Sequence, residues 1–194
     1  MDPYSLDWIQ KYGLSILIGA AFAVLLLQNT PFVAIISIIF MYFWIYGIHR
    51  ILHILPREGV FEYLNTHWNL HHQPLKLLDR RIELFIEIVN DLGMHGVLFL
   101  IQWVLGISII PTSIIVFHAI WYTSVHWINY SIIGSRTHKD HHKNMDTNFG
   151  PDVLDHLFGS NHDETKEDLL LLIPNAILAF FATAGLKQVF QWQN

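Results

Sequence analysis

The chain has 194 residues, of which 53% are hydrophobic and 14% charged, and its mean hydropathy is +0.37. Charged residues make up about 25% of an ordinary soluble domain, so this balance points to lipid as the main solvent, and the length favours one domain over residues 1–194. The formal charge of −5 offers no basic stripe for nucleic acid, and the absence of cysteine excludes a disulfide framework, a thiolate zinc site and an iron–sulfur cluster.

The N-terminal stretch MDPYSLDWIQKYG carries two acids and one lysine, and no small-residue cleavage pattern follows it. The first apolar run therefore reads as a retained span and not a signal peptide. Apolar segments lie at about 13–27, 32–48, 92–110, 112–128 and 169–186. A bilayer core takes roughly 20 apolar residues, so the first is short and the next three qualify. Asn29, Thr30 and Pro31 separate the first two, and Pro111 separates the third and fourth, which predicts two tight helical hairpins. Both return to the side holding Arg50, Arg57, Lys76, Arg80, Arg81, Arg136, Lys139, Lys143 and Lys166, the cytoplasmic side by the positive-inside rule.

Between the hairpins, a helix-compatible stretch closes at Gln73 and Pro74. RRIELFIEIVNDLG follows, with Glu83, Glu87 and Asn90 on one helical face, and its expected place is along the membrane surface. The last apolar segment has Pro174 and Asn175 near its start; a fifth span, a re-entrant piece and a docked helix all fit it. Trp8, Trp44, Trp103, Trp121, Trp127 and Trp192 read as interface anchors and packing.

Histidine clusters flank these segments: His49 and His53 in HRILH, His67, His71 and His72 in HWNLHH, and His138, His141 and His142 in HKDHH. Residues three and four apart on a helix are neighbours, with Cβ atoms roughly 5–6 Å apart, so each box can aim two or three imidazoles at one point. One such box is often a packed helix face. Three boxes beside membrane spans are costly unless they do something. Eight nitrogens are twice what one tetrahedral site needs, which points to two metal ions in one histidine-lined site. Imidazole suits iron, zinc, copper and nickel alike. The rival readings are a histidine-lined metal transporter, whose ligands belong near the bilayer midplane, and a bis-histidine haem protein.

With NFGPDVLDHLFGS at 148–160, the box series resembles the fatty acid hydroxylase and sterol desaturase superfamily over about 32–160. The resemblance implies an all-α membrane enzyme with four core helices and a cytosolic histidine-rich cap. It implies two iron ions, with zinc able to substitute in purified protein, held by the eight box histidines together with His126, twelve residues ahead of His138. The implied reaction uses O2 and two external electrons to hydroxylate an unactivated C–H bond of a membrane lipid (fatty acyl, sphingoid or sterol), with desaturation as the alternative outcome. No GxGxxG follows a strand, so a separate donor, a b-type cytochrome or a ferredoxin with its reductase, must supply the electrons. The membrane would be the endoplasmic reticulum in a eukaryote and the inner membrane in a bacterium. Leu154 and His156 depart from the tryptophan and arginine common in the family's tail motif. His118 is either a ligand or a channel group, and His156 is a further metal candidate. His95 reads as interfacial and His162 as a surface residue. Asp155, Asp140 and Asn148, with Glu83, Glu87 and Asp91, are candidates to hold the ligands' second nitrogens.

Overall fold

Helices account for every apolar segment. A computed structural model describes residues 13–61, 65, 67–72, 79–162 and 169–192, and there is no strand among them. Trp8, Lys76, Gln73, Pro74 and Lys166 lie outside the described residues. α1 (Leu14–Leu26) and α2 (Pro31–Ile54) form the first hairpin, turning at 27–30, with Pro31 at a helix start where its missing N–H costs nothing. α1 is about 20 Å long, short of a bilayer core, whereas α2 is long and apolar enough to cross one.

α3 (Arg80–Leu105) corrects the expectation of a separate surface helix, since residues 80–91 and the following span form one helix. Nothing between Asp91 and Leu92 breaks the pattern, and a single buried face runs from Glu87 through Asn90, Asp91, Met94, His95 and Leu98 to Gln102. Asp79 caps the helix by accepting from the Arg81 N–H at 2.7 Å. At the far end Gly106, in the left-handed region, closes the last turn as Ile107 N–H donates to the Gln102 carbonyl. The buried Gln102 amide then clamps the tight turn, accepting from Ile110 N–H at 2.7 Å and donating to the Ile110 carbonyl at 3.2 Å.

α4 (Thr112–Ser124) continues without a break into a π-helical stretch, Val125–Ile133. Two short helices, α5 (Arg136–Lys143) and α6 (Asp152–Phe158), follow on the histidine side. α7 (Leu169–Phe190) is one helix packed lengthwise on α4 and α1, not a re-entrant piece. Near its start Trp121 Nε1–H donates to the Leu172 carbonyl at 3.2 Å, and Asn175 donates to Asn129 Oδ1 at 3.1 Å. Near its end Lys187 donates to the Leu26 carbonyl at 2.8 Å, a cation at the C-terminal pole of α1. α7 therefore starts at the histidine end and finishes at the α1–α2 turn.

Ile38, Met41, Ile114, Phe117 and Trp121 fill the interior, while Phe32, Trp103, Val104, Phe181 and Val189 point outward. So much exposed apolar surface is suited to lipid and not to water. Gly19 lets α1 lie against Trp121, since a Cβ there would stand 2.8 Å from the indole.

The path of α7 gives a topology test. Single cysteines replacing Asn29 and Gln191 should react with an impermeant thiol reagent from one side of the membrane, and a cysteine replacing Lys143 from the other. Labelling of Asn29→Cys and Lys143→Cys from the same side would contradict this arrangement.

Candidate metal centre

Each histidine box is placed by a different local device. The last two turns of α2 carry His49 and His53, both buried. The chain beyond is pinned back on α2, as Asn65 donates to the Leu52 carbonyl at 2.7 Å and accepts from Trp68 N–H at 3.1 Å. Arg57 lies over the Trp68 ring at 3.3 Å. His67–His72 then winds as a π-helical turn. In an α-helix residues five apart diverge around the axis; the wider π turn brings them onto one face. His67 and His72 accordingly meet Nε2 to Nε2 at 3.1 Å, and His71 turns towards another set of partners. The π-helical end of α4 carries His126 and stops at Gly134, whose φ of 85° a glycine adopts without strain. α5 presents the third box.

The structure brings all nine histidines together, in two adjoining groups. His49, His53, His67, His72 and His141 form one, with a ligand atom of each within 4.8 Å of the others. Within it His67 Nε2 lies 3.2 Å from His53 Nε2, and His141 Nε2 lies 3.2 Å from His72 Nε2. His71, Glu87, His126 and His138 form the second. His142 borders it, its Nε2 3.1 Å from His71 Nε2 and 2.9 Å from His138 Nε2.

The protons on these rings are fixed from behind. His49 Nδ1–H donates to the Phe149 carbonyl and His141 Nδ1–H to the Thr147 carbonyl. His126 Nδ1 stands 2.8 Å from both Asp91 oxygens, and His71 Nδ1 stands 3.3 Å from Glu87 Oε1. The Asn90 amide lies 2.9 Å from His67 Nδ1; turned with its oxygen inward, it accepts that N–H. A neutral ring that donates from Nδ1 has a lone pair at Nε2, so the inner nitrogens of His49, His67, His71, His126 and His141 are acceptors. Burial, reinforced by the neighbouring imidazoles, holds His67, His71, His72 and His138 well below the ordinary 6.5. It lowers His141 to about 3 and His142 to about 4. Lone pairs about 3 Å apart repel unless a cation lies between them. Metal–nitrogen bonds of about 2.0–2.1 Å put two ligands at a right angle about 3 Å apart, which is the spacing found. Within the two groups, His49 Nε2, His53 Nδ1, His72 Nδ1 and Glu87 Oε2 are buried atoms with no hydrogen-bond partner among the described residues. The donor set fits metal ions.

The family model for fatty acid hydroxylases matches residues 34–160. The chain belongs to the fatty acid hydroxylase family. Comparison with curated proteins and with solved structures gives no significant match.

The tail motif of this family member works at one remove from the histidines. Asp155 accepts from Phe149 N–H at 2.9 Å, Gly150 N–H at 2.6 Å and Ser160 Oγ–H at 2.7 Å. It thereby fixes the Phe149 carbonyl that receives His49 Nδ1–H. Asn148 ties the loop down, donating to the Thr137 carbonyl at 3.2 Å and accepting from His162 N–H at 2.8 Å.

Several expected roles change. Asp140 pairs with Arg136 at 3.3 Å and Lys143 at 3.5 Å, and Glu83 pairs with Arg80 at 3.2 Å, so neither holds a histidine. His118 lies outside both groups, as does His156 on α6. His95 is not interfacial but fully buried against His118. Glu87, expected behind a ligand, stands among the donor atoms. The backbone carbonyls of Thr147 and Phe149 have no side-chain signature by which a sequence could reveal them.

Replacing Asp91 by Asn leaves the ring of His126 in place and removes the charge behind it. Metal affinity, measured by competition with a chelator, should fall about 10–100-fold. An unchanged affinity would mean that His126 is not a ligand.

Proposed function

We propose that the chain is an O2-dependent lipid hydroxylase that holds two iron ions, one in each histidine group. The observation that supports it best is two adjoining imidazole-rich groups, with lone pairs inward, at one end of a bundle whose outer surface is apolar. Iron bound there would supply the reduction of dioxygen and the removal of hydrogen from an unactivated carbon. In this reading His49, His53, His67, His72 and His141 hold one ion, and His71, Glu87, His126, His138 and His142 the other.

The chain's own residues do the positioning. Asp91, Asn90 and the carbonyls of Thr147 and Phe149 fix tautomer and ring direction, which ligand geometry requires. Tyr130 stacks on His138 with ring centres 5.0 Å apart and walls the second group. A polar cavity of about 290 Å³ bordered by His71, Glu87, His138, His142 and Lys139 gives dioxygen and electrons a route from the water side. The electrons come from a separate b-type cytochrome, or from a ferredoxin with its reductase. A cytoplasmic histidine side is supported by the Lys and Arg residues gathered there, by the positive-inside rule. A transporter would carry its ligands near the bilayer midplane, whereas these cluster at one end of the helices. Hydroxylation is the first choice and desaturation the alternative, since the NFG and LDHLFG segments and the short, compact chain resemble the hydroxylase branch as much as any desaturase.

Lipids extracted from cells expressing the chain should contain a species heavier by one oxygen atom. His71→Ala and His141→Ala, one from each group, should abolish it while the protein remains in the membrane; His162→Ala, at a half-buried side chain outside both groups, should not. A product lighter by two hydrogens would make the enzyme a desaturase. Full product from His71→Ala would overturn the di-iron reading.

A further inference from the structure

A buried imidazole pair lies outside both metal groups. His95 on α3 and His118 on α4 are 1% and 2% exposed, and His95 Nε2 stands 2.9 Å from His118 Nδ1. His95 Nδ1 stands 2.9 Å from the Asp91 carbonyl. A carbonyl only accepts, so His95 Nδ1 carries the proton and, in the neutral ring, Nε2 holds a lone pair. The hydrogen bond between the rings must then be donated by His118 Nδ1, because two N–H groups cannot face each other across it. The lone pair of neutral His118 is thereby placed on Nε2, where it can accept a hydrogen bond.

His118 borders a narrow cavity with about 40 Å³ of room, together with Ser15, Tyr42, Tyr122, Tyr130 and Leu172. A single water needs roughly 10–15 Å³ by the same measure, so the space suits an unbranched chain and not a fused-ring skeleton. Tyr130, which also borders this cavity, stacks on His138 of the second metal group. Along α4, His118 precedes His126 by two turns, about 12 Å.

We propose that the cavity takes an unbranched lipid chain carrying a hydroxyl group, that His118 Nε2 accepts the hydroxyl hydrogen, and that this contact sets which carbon reaches the metal centre. The inference rests on the reading of the site as a lipid-oxidising centre. It narrows the substrate to a chain whose hydroxyl lies about 12 Å from the oxidised carbon. Asp91 links the two functions, since its carbonyl orders the His95–His118 pair while its carboxylate holds His126.

The test uses photolabelling of the full chain in lipid nanodiscs. The probe is a long-chain primary alcohol with a diazirine about 12 Å from its oxygen, compared with its methyl ether, which has no hydrogen to donate. The alcohol should label the peptide containing Tyr130 and His138, and the ether roughly tenfold less, as expected for one lost hydrogen bond to a buried acceptor. His118→Phe keeps an aromatic ring and should erase the preference; His118→Gln, which retains an acceptor, should restore part of it. Equal labelling by alcohol and ether in the unmodified chain, or a preference that survives His118→Phe, would overturn the inference. Metal content measured on the same samples separates the two claims. A metal-loaded chain that does not discriminate refutes the role of His118 alone, and a discriminating chain that binds no metal refutes the di-iron reading alone.

Discussion

The structure depends on a set of buried imidazoles whose lone pairs converge. Neutral histidine keeps one proton, and here backbone carbonyls and the Asp91 carboxylate take that proton on the outer nitrogen of His49, His141 and His126. The inner nitrogens of these three rings are left as acceptors, and His141 Nε2 stands 3.2 Å from His72 Nε2. Protonation offers no relief, because burial already holds rings of both groups below the ordinary imidazole range. A cation between these acceptors offsets the repulsion of their lone pairs, and the fold is arranged around the two groups that would hold one.

Helix geometry divides the ligands between two groups. His49–His53, His67–His71, His138–His141 and His138–His142 all have α-helical spacing, but HWNLHH does not act as an α-helix. Its π turn sends His67 and His72 to one group and His71 to the other, so a single short segment supplies both. The continuity of α3 matters equally. By running from the water side into the apolar layer, it brings Glu87, Asn90 and Asp91 behind or among the histidines and then His95 to His118. A separate helix lying on the membrane surface would have left His126 without its carboxylate.

The apolar segments and the boxes were legible in the sequence because both follow local rules: spans by length and hydropathy, ligands by residue type and spacing. The expectation that Glu83, Glu87 and Asn90 share a face was sound, yet only position along the helix separates Glu87, beside His71, from Glu83, beside Arg80. Asp140 and Asp155 show the limit more clearly. Both neighbour box or tail residues in sequence, but one pairs with Arg136 and Lys143 and the other binds loop N–H groups. The loop N–H partners of Asp155 could not be read from spacing, whereas Arg136 and Lys143 stand four before and three after Asp140, at helical spacing. The π turns were hidden for a related reason, since a helix pattern in sequence does not report whether a turn takes one extra residue. The placement of α7 also required tertiary contacts, as Asn175 and Lys187 bond to residues far away in the chain.

The central claim, two ions held in separable histidine groups, is tested most directly by counting metal in protein shown to be folded. The unmodified chain should bind two equivalents. A variant lacking His53 and His141 should keep one, and a variant lacking His71 and His138 should keep one. A single equivalent in the unmodified chain, lost from both variants, would contradict the account.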